Sequence, residues 1–457
     1  MQQRYNAIII GFGKGGKTLA AYLADQGQSV AIVERSDKMY GGTCINVACI
    51  PTKALDHSAA LSAAMGGSFG EKAARYRAAI EEKRALTAKL RQKNYDKLAS
   101  QPQITVLQGT AQFTGPHTVS VSGPQGVVEL WGDTIFINTG ARPFVPPIPG
   151  LAGNSRVYLS ETLMELEQLP RRLVIIGGGY IGMEFASIWT NFGSQVTVVQ
   201  DGEAFLPRED AEIAAAVLES LRARGVTVLR GAEIHAVRGG GDTALIDLTA
   251  GGEGRTLEAE AVLVATGRRP ELEGLHPEAA GVELTARGAV KVDAHLRTTA
   301  PHIFALGDVA GGLQFTYISL DDARIVRSAL LGDGSRTTEN RGAVPYSVFL
   351  DPPFSRVGLT EQEARDAGHE VKVARLQAAA IPKAQILRQP AGLLKAVIDA
   401  DSGCVLGAHL FCAESHELIN LLKLAVDQKI PYTALRDAVY THPTMSEALN
   451  DLFASVH

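Results

Sequence analysis

The sequence predicts an α/β protein in which two Rossmann-like dinucleotide-binding domains are followed by a C-terminal α+β domain. Three observations carry that reading. A glycine turn, Gly11-Phe12-Gly13-Lys14-Gly15-Gly16, follows an apolar run at once; a second, Gly177-Gly178-Gly179-Tyr180-Ile181-Gly182, repeats the setting; and from Arg341 onward apolar strands alternate with helices. At 457 residues the chain also exceeds a single compact core.

Residues 5–10 read as a buried strand, 17–26 as a helix and 29–33 as a second strand ending in Glu34. Gly11 permits the turn, Gly13 lets the backbone approach a pyrophosphate, and Gly16 allows close helix–strand packing. The anion would rest on the helix N-terminus, where unpaired N–H groups and the dipole favour negative charge. Glu34, 23 residues past Gly11, is placed to accept hydrogen bonds from an adenosine ribose. The arrangement recurs with a strand at 172–176, Gly177, Gly179 and Gly182 in the turn, a helix at 181–191 and a strand at 195–199. Here the position 23 residues past the first glycine is Gln200. The first copy suits a tightly held FAD, and the second a nicotinamide nucleotide that comes and goes. Gln200 neither repels a 2′-phosphate, as a carboxylate would, nor binds it, as an arginine would, so NADH and NADPH both stay open.

Composition narrows the partners. The net charge of −5 contains no single-sign block, and basic residues 83–97 are interleaved with acids as on a solvated helix face, so nucleic acid is not expected. No apolar run approaches the roughly 18 residues of a membrane span, and no leader is expected before the first strand. Four cysteines are too few for a disulfide framework. The expectation is a cytoplasmic protein.

After Glu34 comes Gly41-Gly42-Thr43-Cys44-Ile45-Asn46-Val47-Ala48-Cys49-Ile50-Pro51-Thr52-Lys53. On a regular helix this spacing holds the two Cα atoms roughly 8–9 Å apart, whereas a disulfide needs about 4.4–6.8 Å. Two readings follow: a pair of buried helix cysteines, or a bonded pair in a distorted first turn.

These motifs, in this order, resemble the class I pyridine nucleotide–disulphide oxidoreductases, with a glutathione-reductase-like arrangement. The resemblance spans nearly the whole chain. Thr139-Gly140-Ala141-Arg142-Pro143 and Ala265-Thr266-Gly267-Arg268-Arg269-Pro270 match the crossings into and out of the nicotinamide domain. Ile303-Phe304-Ala305-Leu306-Gly307-Asp308 matches the second FAD motif, and His442-Pro443-Thr444-Met445-Ser446-Glu447 the dimer-interface motif.

The resemblance implies a homodimer with FAD held by Gly11, Gly13, Gly16, Glu34, Gly42, Thr43, Lys53, Gly140 and Asp308. It places NADH or NADPH on Gly177, Gly179, Gly182, Gln200 and Gly267. It implies a reversible Cys44–Cys49 disulfide, with Cys49 nearer the flavin and Cys44 facing the acceptor. Lys53 would pair with Glu184 beside the flavin, and His442, oriented by Glu447 and supplied across the dimer, would be the acid–base partner of Cys44. Within the family, stretches such as MYGGTCINVACIPTK and GDVAGGLQFTYISLDDARIV resemble a Cu(II)-reducing member serving defence against reactive chlorine. There the family's usual Leu-Ala-His-type helix is replaced by Gln314-Phe315-Thr316-Tyr317-Ile318-Ser319-Leu320-Asp321-Asp322. Gln200 departs from that member's acidic residue. Cys44 and Cys49 would then be transient ligands of the substrate metal, since thiolates favour Cu(I).

Cys404, in an expected hairpin turn, and Cys412, on an apolar strand near His409 and His416, read as structural. Reduction of mercuric ion or of an organic disulfide of the glutathione or lipoamide type is the alternative, although the chain lacks the C-terminal cysteine pair of mercuric reductases. A low-turnover flavin redox sensor is a third reading. The expected division is an FAD domain at 1–150, a nicotinamide domain at 151–270, a central segment at 271–340 completing the FAD site, and an interface domain at 341–457.

Overall fold

In the computed structural model, which describes residues 2–456, the chain divides into two units. The first holds the chain up to Ala54 with Ala79–Phe144 and Gly267–Arg341; the second holds Leu55–Ala78, Val145–Thr266 and the chain from Gly342.

The first unit opens with β1 (Gln3–Ile10), α1 (Lys14–Asp25) and β2 (Val30–Glu34). Two short helical pieces follow, α2 (Thr43–Asn46) and the start of α3 (Cys49–Met65), and then, from Ala79 on, the long charged α4 (Phe69–Ala99). Strands β3 (Ile104–Gln108), β4 (Thr110–Gly115), β5 (Thr118–Gly123) and β6 (Gly126–Ile137) complete the run. The sheet order is β3-β2-β1-β6-β5-β4, with Ile303–Ala305 also pairing on β6. Ile8 lies opposite Ala31 on one side and Ile135 on the other, both in parallel register. Such a central strand is covered on both faces, which explains the uninterrupted apolar run Ala7–Ile10, almost wholly buried. Helix α1 starts at Lys14, three residues before the sequence predicts, because Gly13 is its N-cap and Gly15 and Gly16 lie within the first turn. Glycine propensity argues against that start; close packing requires it.

In the second unit β7 (Val157–Leu159), β8 (Arg172–Ile176), β9 (Gln195–Val199), β10 (Thr227–Leu229) and β11 (Ala261–Val264) form a parallel sheet ordered β10-β9-β8-β11-β7. The helix Tyr180–Phe192 follows β8. An antiparallel three-stranded sheet, Glu233–Gly239, Ala244–Ala250 and Glu253–Ala259, is inserted before β11. Strands β12 (Tyr346–Val348), β13 (Phe354–Gly358), β14 (Val371–Gln377), β15 (Leu393–Asp399) and β16 (Val405–Phe411) then make an antiparallel sheet ordered β12-β13-β16-β15-β14. Leu394, Ala408 and Leu410 of this sheet share a core with Leu418, Leu422 and Phe453 from the helices Ser415–Asp427 and Ala448–Ala454. Among the described residues no helix is long and apolar enough to cross a membrane.

Candidate active site

The first glycine turn is held from below by Asn138. Gly11 has φ +103°, and a Cβ there would run into the Asn138 carbonyl. The Asn138 side chain accepts from the Gly16 N–H (2.9 Å) and donates to the Leu306 carbonyl (2.7 Å), tying the turn to the Ile303–Asp308 motif. Glu34 accepts from the Phe12 N–H (3.1 Å) and the Ser36 N–H (3.3 Å), while burial pushes its carboxyl above the ordinary range. Asp308 is half-buried and also pushed up by burial, opposed by the charge of Arg268. Next to Asn138 in sequence, Thr139 Oγ1 is buried with no hydrogen-bond partner among the described residues. A backbone pared to glycine, two acids above their usual range and an orphaned hydroxyl fit a dinucleotide such as FAD.

The cysteine segment packs directly on that turn: a Cβ on Gly42 would lie 2.7 Å from Gly13 Cα. The helix is broken where closely approaching cysteines require it. Helix α2 ends at Asn46, Val47 takes φ −139°, and α3 restarts at Cys49. Both thiols are unbonded, and the Cys49 S–H donates to the Cys44 sulfur. Cys44 is lowered to about 7, chiefly by that hydrogen bond, against burial, with further help from the Thr316 hydroxyl and the charges of Lys17 and Lys53. Cys49 is driven well above the usual thiol range because it gives the hydrogen bond, is buried and faces the charge on Cys44. Lys17 donates to the carbonyl of Gly41 (3.2 Å) and to Asn94 Oδ1 (2.5 Å), and burial lowers its own pKa to about 8. Lys53 lies one helical turn beyond Cys49 on α3 and is half-buried.

At the second turn Gly177 takes φ +113° and Gly179 caps the helix Tyr180–Phe192 with no side-chain cap. Gln200 is buried, and its amide donates to the carbonyls of Gly202 (2.6 Å) and Ala204 (3.1 Å). Glu184 accepts from the Phe349 N–H at 2.9 Å. Tyr180 and Tyr346 both give their hydroxyl protons to the buried Glu209, the second at 2.7 Å. Near the C-terminus His442 Nδ1 meets Glu447 Oε2 at 2.8 Å, leaving the ring exposed. His409 and Cys412 are wholly buried, His409 Nε2 lies 3.0 Å from the Leu359 carbonyl, and Cys404 donates to the Lys429 carbonyl at 3.2 Å. Among the described residues no group of three or more His, Cys, Asp or Glu is arranged to hold a metal ion.

Asn138, Lys17, Thr316, Tyr317, Tyr180 and Glu209 were not singled out as site residues by the sequence. A signal existed for Thr316 and Tyr317, because their segment departs from the family pattern, and for Tyr180, which stands inside the second glycine turn.

The pyridine nucleotide-disulphide oxidoreductase model matches residues 5–323, and the dimerisation domain of the same group matches residues 344–453. The chain belongs to the pyridine nucleotide-disulphide oxidoreductases. It is 48% identical over 453 residues to the probable pyridine nucleotide-disulfide oxidoreductase RclA of Escherichia coli, covering 99% of both chains. It is 34% identical to a mercuric reductase of Bacillus cereus, over 97% of this chain and 70% of that one. Among solved structures it is similar to the Cu(II) complex of the HOCl-induced flavoprotein disulfide reductase RclA from Escherichia coli. That match has a TM-score of 0.93 and 48% identity, and covers 99% of each chain. As a member of the pyridine nucleotide-disulphide oxidoreductases, the chain is a FAD-dependent enzyme drawing electrons from NAD(P)H, and it carries the dimerisation domain of that family.

Proposed function

We propose that this oxidoreductase works as a cytoplasmic homodimer that passes electrons from NADH or NADPH through the Cys44–Cys49 pair to Cu(II), as part of a defence against reactive chlorine. The observation that carries the reading is the pair itself: two sulfurs in hydrogen-bond contact at a broken helix, seated against the FAD glycine turn, with one sulfur favoured as a thiolate. The likeness to a Cu(II) complex over the whole chain supports the choice of acceptor.

Bound FAD would supply the passage of a hydride's two electrons from the nicotinamide to the disulfide. The protein's own groups do the rest. Gly11, Gly13, Gly16, Glu34, Gly42, Thr43, Gly140 and Asp308 would hold FAD, and Gly177, Gly179, Gly182, Gln200 and Gly267 the nicotinamide nucleotide. Lys53, paired with Glu184, would place a positive charge beside the flavin; a desolvated ammonium needs such a partner. His442, aligned by Glu447 and reaching across the dimer, would take the proton released when Cys44 meets its acceptor. Each dithiol oxidation releases two electrons and two protons, enough for two Cu(II) ions, and thiolate sulfur favours the Cu(I) product. The domain division at 150, 270 and 340 belongs to the same proposal.

The test is steady-state turnover with NADH and NADPH against Cu(II) plus a Cu(I) chelator, beside Hg(II), glutathione disulfide and lipoamide. Cys44→Ala should lower Cu(II) turnover at least ~100-fold while flavin reduction by NAD(P)H persists. Full turnover in that variant would remove the disulfide from the mechanism, and preference for another acceptor in the panel would reassign the substrate.

A further inference from the structure

The helix Thr316–Leu331 begins inside the segment that departs from the family pattern, and two residues of that segment reach the glycine turns. Helix α1 starts without a cap of its own, because Gly13 holds the N-cap position and has no side chain to offer. A helix start leaves four backbone N–H groups unpaired, here those of Gly13, Lys14, Gly15 and Gly16. Two of them are met by side chains far away in sequence. Ser319 Oγ accepts from the Gly15 N–H at 3.0 Å, and Asn138 Oδ1 from the Gly16 N–H at 2.9 Å. The Asn138 amide donates in turn to the Leu306 carbonyl (2.7 Å) and, at 3.4 Å, to Ser319 Oγ. Asp322 accepts from the Gly307 N–H at 2.8 Å and pairs with Arg341, also at 2.8 Å. All three side chains are buried. The space is as tight as the bonding: a Cβ on Gly307 or on Gly15 would stand 2.8 Å from the Ser319 hydroxyl.

We propose that Asn138, Ser319 and Asp322 are positioning residues for FAD: they cap the glycine helix from outside it and lock it to the turn at Gly307-Asp308. The inference rests on the proposed reading that FAD is held on these two turns. With Gly15 and Gly16 already bonded to the protein, the N–H groups of Gly13 and Lys14 remain for the pyrophosphate. A glycine turn has many conformations open to it in the free protein, since no Cβ restricts them. The network removes that freedom before the cofactor arrives. Without it only a fraction of the apoprotein would hold the turns as FAD needs them, and the apparent affinity would fall by that fraction. A buried N–H or carbonyl that loses its partner favours any rearrangement that finds another.

The experiment is titration of the full-length apoprotein with FAD, followed by flavin fluorescence, beside amide hydrogen exchange of the same apoprotein read by mass spectrometry. Asn138→Ala takes a partner from the Gly16 N–H and from the Leu306 carbonyl, and should raise the Kd for FAD about tenfold. Ser319→Ala should raise it about threefold, and the double variant by less than the product of the two, because the side chains share one network. Asp322→Ala should act about as strongly as Asn138→Ala, and Asp322→Asn, which keeps an acceptor for the Gly307 N–H, more weakly. In Asn138→Ala, exchange should quicken in peptides covering 11–19 and 303–310 and stay as in wild type in the sheet at 393–411, which a general loss of stability would not spare. A wild-type Kd in Asn138→Ala, independent effects in the double variant, or exchange that quickens equally in the distant sheet would each overturn the inference. Failure of the underlying reading is seen separately. Glu34→Ala should weaken FAD at least ~tenfold; if it does not, the cofactor is held elsewhere, whatever the other variants show.

Discussion

Cys44 and Cys412 are cysteines of one chain that end at opposite extremes. Both are withdrawn from water, and burial raises both thiols. At Cys412, just past the end of β16 among the apolar side chains of the antiparallel sheet, burial acts with the nearby charge of Glu414 and pushes the thiol up to about 12. At Cys44 the same effect is outweighed by a hydrogen bond from Cys49, another from Thr316 and the charges of Lys17 and Lys53, and the thiol falls to about 7. The difference teaches that withdrawal from water does not decide a cysteine's chemistry; the donors and cations able to hold its anion do.

The contrast is broken or sharpened most directly by reactivity. Near pH 7 about half of Cys44 would be thiolate against roughly one part in 10⁵ of Cys412, and the greater nucleophilicity of the more basic sulfur recovers about two of those decades. Iodoacetamide should therefore label Cys44 in the reduced, folded protein on the order of a thousandfold faster than Cys412. Its rate should climb as pH rises through 7, and the two rates should converge in denaturant. Equal rates in the folded state would erase the distinction.

The same contrast explains what was legible in the sequence. The glycine turns and the cysteine pair could be read because their chemistry fixes residue type at short spacing: Gly11 admits no Cβ against Asn138, and Gly42 none against Gly13. The break between α2 and α3 was legible as a condition, since a regular helix keeps Cys44 and Cys49 too far apart. The groups that set the Cys44 thiolate were not. Thr316 lies 272 positions from Cys44, and only packing of its helix on α1 joins them. Asn138 and Glu209 were hidden for the same reason. The β4–β6 meander was passed over although Ala111, Phe113, Val119 and Val121 alternate inward, because no motif drew attention to it.

His409 extends the comparison from reactivity to stability. It lies on β16 three residues before Cys412, wholly buried, and burial lowers its pKa from 6.5 to about 4 against the Leu359 carbonyl, which favours the charged ring. The folded state thus holds a neutral imidazole where the unfolded chain binds a proton. Stability is complete above pH 6.5 and drains away as pH falls toward 4, below which both states are protonated. The expected loss is about 3 kcal/mol across that window. Denaturant titrations at a series of pH values should show it, and His409→Gln should flatten the slope. An unchanged slope would assign the acid sensitivity to other groups.

The smallest effect concerns the residues that close the second strand of each glycine-turn fold. Glu34 accepts from the backbone N–H groups of Phe12 and Ser36, whereas Gln200 donates to the carbonyls of Gly202 and Ala204. An amide satisfied by its own loop carries no charge to sort a 2′-hydroxyl from a 2′-phosphate. Gln200→Glu removes both donations and sets a carboxylate against two carbonyl oxygens, so the side chain should turn toward the nucleotide. There it would accept from a ribose and repel a phosphate. The ratio of kcat/KM for NADPH to that for NADH should fall about tenfold, with the loss concentrated on NADPH. A ratio that does not move would show that Gln200 holds its loop and has no part in selecting the nucleotide.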